Sequence, residues 1–250
     1  MNEQPDNMQR VLAIDTATRV QSLALMDGDT VLEHSQRRVK FNHGSTLLEH
    51  LSQTLDEHQL EVADLDLVSV GLGPGSFTGL RVGLAIAKSL SRAESIPIVG
   101  VSTLAALAHS VAITNPTAIV CPMYDARRRE VYAGFYRWNT PRLEQLESDQ
   151  TITPAKLRDR ILHYSSTVAP VVLVGNAPRT YRDELDVWEM ANINWEAPDV
   201  SVMPPWTDAP SAVSVALLGR RKARRGELDD LASLEPNYIR PTDAEKSLKD

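Results

Sequence analysis

Residues 66–90, DLVSVGLGPGSFTGLRVGLAIAKSL, run from a strand-like segment through closely spaced glycines into a helix. A junction of that kind belongs to an α/β chain, and it offers free backbone N–H groups at the helix start to an anion. The familiar phosphate loops fail on spacing. Lys88-Ser89 resembles the end of a Walker A loop, but Val82 and Ala87 stand where its glycines belong. A dinucleotide fingerprint begun at Gly73 needs a glycine where Thr78 stands. A nucleophile elbow around Ser76 needs glycines where Pro74 and Thr78 stand. Gly73, Gly75 and Gly79 still permit backbone conformations barred to other residues. A tight turn without ligand and an anion site both remain open, with Asp15, Gly73, Gly75, Ser76 and Thr78 as the residues nearest any nucleotide.

The helix predicted from Thr78 to Ala93 carries more apolar surface than one sheet needs. Gly79, Gly83, Ala87, Val82, Ile86 and Leu90 fall on one side, and Leu80 and Leu84 widen it. That arc is about 200°, roughly double the usual core-facing stripe. The four-residue spacing of Gly79, Gly83 and Ala87 also suits close helix-to-helix approach. A second helix is predicted over Thr46–His58, opened by a Thr46–Glu49 capping box. Its Leu47, Leu48, Leu51 and Leu55 share one face. Either this helix supplies the second cover, or the two helices together present a partner surface. The arc width favours the partner surface, formed by Leu47, Leu48, Leu51, Leu55, Gly79, Leu80, Gly83, Leu84 and Ala87.

One supersecondary pattern occurs twice. VLAIDTATRVQSLALM (11–26) and TAIVCPMYDARRREVYAGFYRW (117–138) each read as strand, aspartate-led turn, strand, with Asp15 and Asp125 at matching places. The repeat predicts two related halves, 1–104 and 105–250. The second half reads as less regular, with a strand in PVVLVGNAP (170–178), a proline-rich surface connection over 197–210, and a helix over 211–226. Ser211 would cap that helix and Gly226 would stop it. The tail 242–250 is polar and expected to be disordered.

Composition narrows the function. A net charge of −7 speaks against non-specific nucleic-acid binding. The single cysteine, Cys121, excludes an internal disulfide and fits a reducing cytoplasm; it reads as core. The first ten residues lack the apolar core of a signal peptide, and no apolar run is long enough to span a membrane.

AIDTAT (13–18), GLGPGSFTGLRVGLAIAKSL (71–90), VGVSTLAALA (99–108), DARRREVYAGFY (125–136) and EPNYIRP (235–241) resemble the TsaB (YeaZ) family. The resemblance implies an actin-like, sugar-kinase-like and Hsp70-like (ASKHA) fold of two related α/β halves with mixed sheets. It further implies a part in forming threonylcarbamoyl-adenosine beside the tRNA anticodon. There the chain would be the non-catalytic partner of TsaD, the metal-dependent relative that performs the transfer, with the ATPase TsaE joining the pair. Pairing would use the helices Thr46–His58 and Thr78–Ala93. The lone chain would form a homodimer by the same face. ATP or ADP would sit at the partner interface of the complex, with no cofactor of the chain's own. Catalytic relatives carry Gly-Val-Asn-His, three residues, then His, both histidines holding metal. Here Thr103 and Leu107 occupy those places, and leucine cannot ligate a metal.

Other candidates are weaker. His43 and His50 lack a third ligand. Asp15 and Asp125 would hold magnesium through water or, more simply, bond to backbone N–H groups in their own turns. The basic run Arg220, Arg221, Lys222, Arg224 and Arg225 suits a helix C-terminus, with tRNA contact only weak or indirect. Two other classes stay in view: an independent ATP-dependent phosphotransferase of the same fold, and a metallopeptidase-like enzyme.

Overall fold

The computed structural model describes residues 9–39, 43–186 and 200–239. The strand VLAI is hydrophobic without alternation because both faces of its sheet are covered. It forms β1 (Arg10–Asp15), which pairs antiparallel with β2 (Val20–Asp27) and parallel with β4 (Leu67–Gly71). With β3 (Thr30–Arg38) and β5 (Ile98–Val101) the sheet order is β3-β2-β1-β4-β5. Leu12 and Ile14 face α1 (His43–Glu57) and α2 (Phe77–Glu94). Val11 and Ala13 face the opposite way. Successive strand residues point to opposite faces, so one short run serves two cores.

The second sheet repeats the first. β6 (Ile119–Arg127) pairs antiparallel with β7 (Glu130–Asn139) and parallel with β9 (Val171–Val174). Adding β8 (Arg142–Ile152) and β10 (Val200–Val202) gives the order β10-β9-β6-β7-β8, the same connectivity strand for strand. Between the sheets in sequence runs α3 (Thr103–Ala112). The counterpart of α1 is α4 (Pro154–Thr167); between β9 and β10 the described residues form two single turns, α5 (Ala177–Thr180) and α6 (Arg182–Leu185). Two mixed sheets of one topology agree with the two related halves predicted from the repeated hairpin and with the ASKHA fold that the resemblance implies.

Several boundaries differ from expectation. The chain forms two compact units, Met1–Ser110 with Ala209–Pro236, and Val111–Asp208 with Asn237–Asp250. The contiguous division at 104/105 therefore fails for α7 (Ala212–Arg224), which returns to the first unit. Its Ala212, Val215, Ala216 and Ala223 cover Val11, Ala13, Ala24 and Val99. A sheet buried on both faces needs a helix layer on each, and the first half lacks a second layer until α7 arrives. Helix α1 begins at His43, so Thr46 lies within its first turns and is not the cap. Ser211 does flank α7, without a capping hydrogen bond from its side chain. Part of the proline-rich connection, Val200–Val202, is the edge strand β10; residues 187–199 and the polar tail lie outside the described residues.

Candidate functional site

Asp15 closes β1, and its side chain turns back into the molecule. The carboxylate is fully buried. Its Oδ1 accepts the Ala17 N–H at 2.8 Å, and its Oδ2 accepts the Thr103 hydroxyl at 2.8 Å. Thr103 Oγ1 in turn accepts the Gly73 N–H at 3.1 Å. Gly71 lies so close that a Cβ there would overlap Asp15 Oδ2. Burial pushes this carboxyl up to about 6, against the opposing pull of the Ala17 amide and the Thr103 hydroxyl.

The glycine junction is engaged in the same way. The Ser76 N–H donates to the Ala17 carbonyl at 2.7 Å, and Ser76 Oγ caps α2 by accepting the Gly79 N–H at 3.3 Å. Thr16 Oγ1 donates to the Gly79 carbonyl at 2.7 Å. A Cβ on Gly75 would overlap the Ala17 carbonyl, one on Gly79 the Thr16 carbonyl, and one on Gly83 the Thr16 hydroxyl. The glycines let α2 lie directly on the β1–β2 turn. Gly73 also holds φ +98°, a conformation that favours glycine. A phosphate or hydrated magnesium does not fit at Asp15, where both oxygens are taken and no surface is open. The N–H groups of Gly73, Ser76 and Gly79 are bonded to the chain itself. Of the residues expected near a nucleotide, only Ser76, Thr78 and part of Gly75 reach solvent.

The expected partner surface is corrected by the same geometry. Leu47, Leu51, Leu55, Leu84 and Ala87 are packed in the first unit's core. Leu80 is buried, and Gly79 and Gly83 face Thr16, not another helix or protein. The wide apolar arc of α2 is covered by its sheet, by α1 and by the β1–β2 turn; the sequence, in which Thr16 is distant, left only α1 or a partner surface for the cover beyond the sheet, and the arc width favoured the partner. The large apolar side chains that α1 and α2 expose are Leu48, 50% accessible, and Phe77, 40% accessible; Val82 is half-buried. The Arg81 guanidinium lies 3.9 Å from the centre of the Phe77 ring.

The second unit carries a matching turn. Asp125 Oδ1 accepts the Arg127 N–H at 2.7 Å, two residues on, as Asp15 does from Ala17. It also accepts the Tyr181 hydroxyl at 2.6 Å. Gly175, with φ +108°, follows β9 as Gly73 follows β4. Both aspartates thus bond to backbone N–H groups in their own turns.

The remaining candidates resolve simply. Thr103 belongs to the Asp15 network and Leu107 is fully buried. His50 turns inward to Ser35 at 3.0 Å; the side chain of His43 lies outside the described residues. Among the described residues no group of three His, Cys, Asp or Glu side chains is placed to hold a metal ion. Cys121 is buried, and burial pushes its thiol up. In the basic run, Arg220 binds the Gly28 carbonyl and Asp29, Lys222 binds the Gly100 carbonyl at 2.8 Å, and Arg225 pairs with Glu227 at 2.9 Å. Those cations fasten α7 and its C-terminal turn. No described helix is long and apolar enough to cross a membrane.

Fold and site together define an actin-like two-half protein whose glycine junction is closed on its own chain. Residues 34–180 match the family model described as TsaD: tRNA N6-adenosine threonylcarbamoyltransferase. A Bacillus subtilis (strain 168) protein named tRNA threonylcarbamoyladenosine biosynthesis protein TsaB is 29% identical, over 94% of this chain and 96% of its own length. The Escherichia coli (strain K12) protein of the same name is 34% identical over 62% of this chain and 64% of its own. A crystal structure from Pseudomonas aeruginosa, described as an uncharacterized protein with similarity to peptidase YEAZ, superposes with a TM-score of 0.77. It is 24% identical and covers 93% of this chain and 100% of that one, a likeness that speaks for the fold. The chain belongs to this family, among its TsaB (YeaZ) members.

Proposed function

We infer that the chain serves tRNA threonylcarbamoyladenosine formation as a non-catalytic partner of a TsaD-type transferase. The observation that carries this reading is the sealed Asp15–Thr103–Gly73 network. Its carboxylate is spent on the chain's own turn, and Thr103 and Leu107 stand where the resemblance places metal-holding histidines. Neither a phosphotransferase nor a metallopeptidase-like reading has an open acid, base or metal site there. The work left to such a chain is to bind and position.

The outer side of α1 and α2 is the proposed pairing face, with Leu48, Phe77 and Val82 as its apolar part. The same face would join two copies when the chain is alone, and TsaE would join the assembled pair. ATP or ADP at that interface would be held chiefly by the partner, since this chain's junction offers little beyond Ser76 and Thr78. The cytoplasm, where tRNA is modified, is the proposed location.

Leu48→Glu combined with Phe77→Glu tests the face. Both side chains are substantially exposed, so the melting temperature is expected to hold. Co-purification or calorimetry with TsaD should show pairing weakened at least about tenfold, roughly 1.4 kcal/mol. Unchanged affinity removes this face from the account.

A further inference from the structure

The β6–β7 hairpin of the second unit holds three consecutive arginines, Arg127, Arg128 and Arg129, at φ +61°, +53° and +60°. All three are exposed. A two-residue turn of this hand strongly prefers Asn-Gly, because positive φ is unfavourable for residues with a long side chain. The backbone nonetheless stays in place because its base is over-determined. Asp125 Oδ1 accepts both the Arg127 N–H and the Tyr181 hydroxyl, and the Asp125 N–H donates to Asn176 Oδ1 at 3.0 Å. Tyr181 also reaches the Glu130 carbonyl across the turn, at 3.3 Å. Strain held by a rigid base is a mark of function. Here it displays three guanidinium groups on a firm support, in a chain whose net charge is −7. Among the described residues Arg127 and Arg129 have no salt-bridge partner, unlike Arg220, Lys222 and Arg225 of α7.

We propose that this hairpin tip is a contact for the phosphodiester backbone of RNA. The tip is an exposed turn and not a concavity, which suits successive phosphates of a polymer better than an enclosed small ligand. Guanidinium is the side chain best matched to phosphate oxygens. The choice of RNA over an acidic protein rests on the proposed role in tRNA modification.

The test is Arg128→Asn with Arg129→Gly in the full chain, beside Arg128→Lys with Arg129→Lys. The first pair supplies the turn's preferred residues and removes two charges; the second keeps the charges and the strain. The Asn-Gly variant should melt about 2–4 °C higher than wild type. Its affinity for an unmodified tRNA transcript at 50 mM salt should fall about tenfold, and the slope of log K against log salt should flatten by roughly one to two. The lysine pair should retain most of that slope. Affinity and slope unchanged in the Asn-Gly variant overturn the proposal, as does a wild-type chain that binds no tRNA at low salt. Loss of TsaD pairing with RNA affinity intact overturns it too, making the tip a protein contact. Pairing retained while RNA affinity falls supports it; failure of wild-type pairing with TsaD would instead count against the proposed function.

Discussion

Gly79→Ala is expected to destabilise the protein by about 3 kcal/mol, with the melting temperature falling roughly 6–12 °C. Helix propensity alone points the other way, since alanine in a helix interior is favoured over glycine by about 1 kcal/mol. The contact decides the sign. A Cβ at this position overlaps the Thr16 carbonyl oxygen, a backbone atom in a turn fixed by the Ser76–Ala17 and Asp15–Ala17 bonds. It has no rotamer by which to move aside. Gly83→Ala meets the Thr16 hydroxyl, which already bonds the Gly79 carbonyl, and should also destabilise. Gly44→Ala is the control: its Cβ would stand 3.8 Å from Val82, an ordinary contact, so it should be neutral or slightly stabilising. Thermal denaturation of the three variants checks this ordering.

Asp15→Asn should gain about 3 kcal/mol over wild type between pH 4 and pH 7. Unfolded Asp15 loses its proton near 3.8, whereas the buried carboxyl keeps it to about 6. The folded state binds the extra proton in that window, so its stability contribution is present below 3.8 and is lost as pH rises through 6. His109 works in the opposite sense. It is buried against Ser214 at 3.0 Å, and burial, aided by the Arg221 charge, lowers it from 6.5 to about 4. Its contribution is present above 6.5 and lost as pH falls through 4. Between about pH 4 and 6 the two slopes oppose, and the wild-type curve should be nearly flat from these groups. Removing the Asp15 charge leaves the His109 slope alone, so the variant's stability should climb with pH where wild type's does not. Urea titrations across that range read it directly; parallel curves for the two proteins would contradict the burial of an ionisable Asp15.

The two-half architecture was legible because the hairpin of β1 and β2 and that of β6 and β7 share an apolar strand ending in aspartate. The helix periods of α1 and α2 were legible for the same reason, as a one-sided stripe survives without knowledge of what covers it. What covers it was not legible. Gly79 and Gly83 read as a seam between helices because four-residue spacing carries no record of Thr16, which lies 63 residues from Gly79. β8 was missed because an edge strand keeps one face polar, and its Arg142–Ile152 stretch reads as a surface. The return of α7 to the first sheet is a long-range event; its amphipathic pattern shows that it packs and not on which sheet. Asp15 was found by position, but its sealing depends on Thr103, known to the sequence only as a residue standing where a histidine would.

The central claim is that the junction around Asp15 is structural and that the chain contributes by binding. The direct measurement is tRNA threonylcarbamoylation by TsaD supplied with the Asp15→Asn chain in place of wild type, with pairing checked in the same preparation. A working carboxylate contributes about 100-fold or more. The account predicts full pairing and an unchanged rate. A rate loss of that size with pairing intact would contradict it.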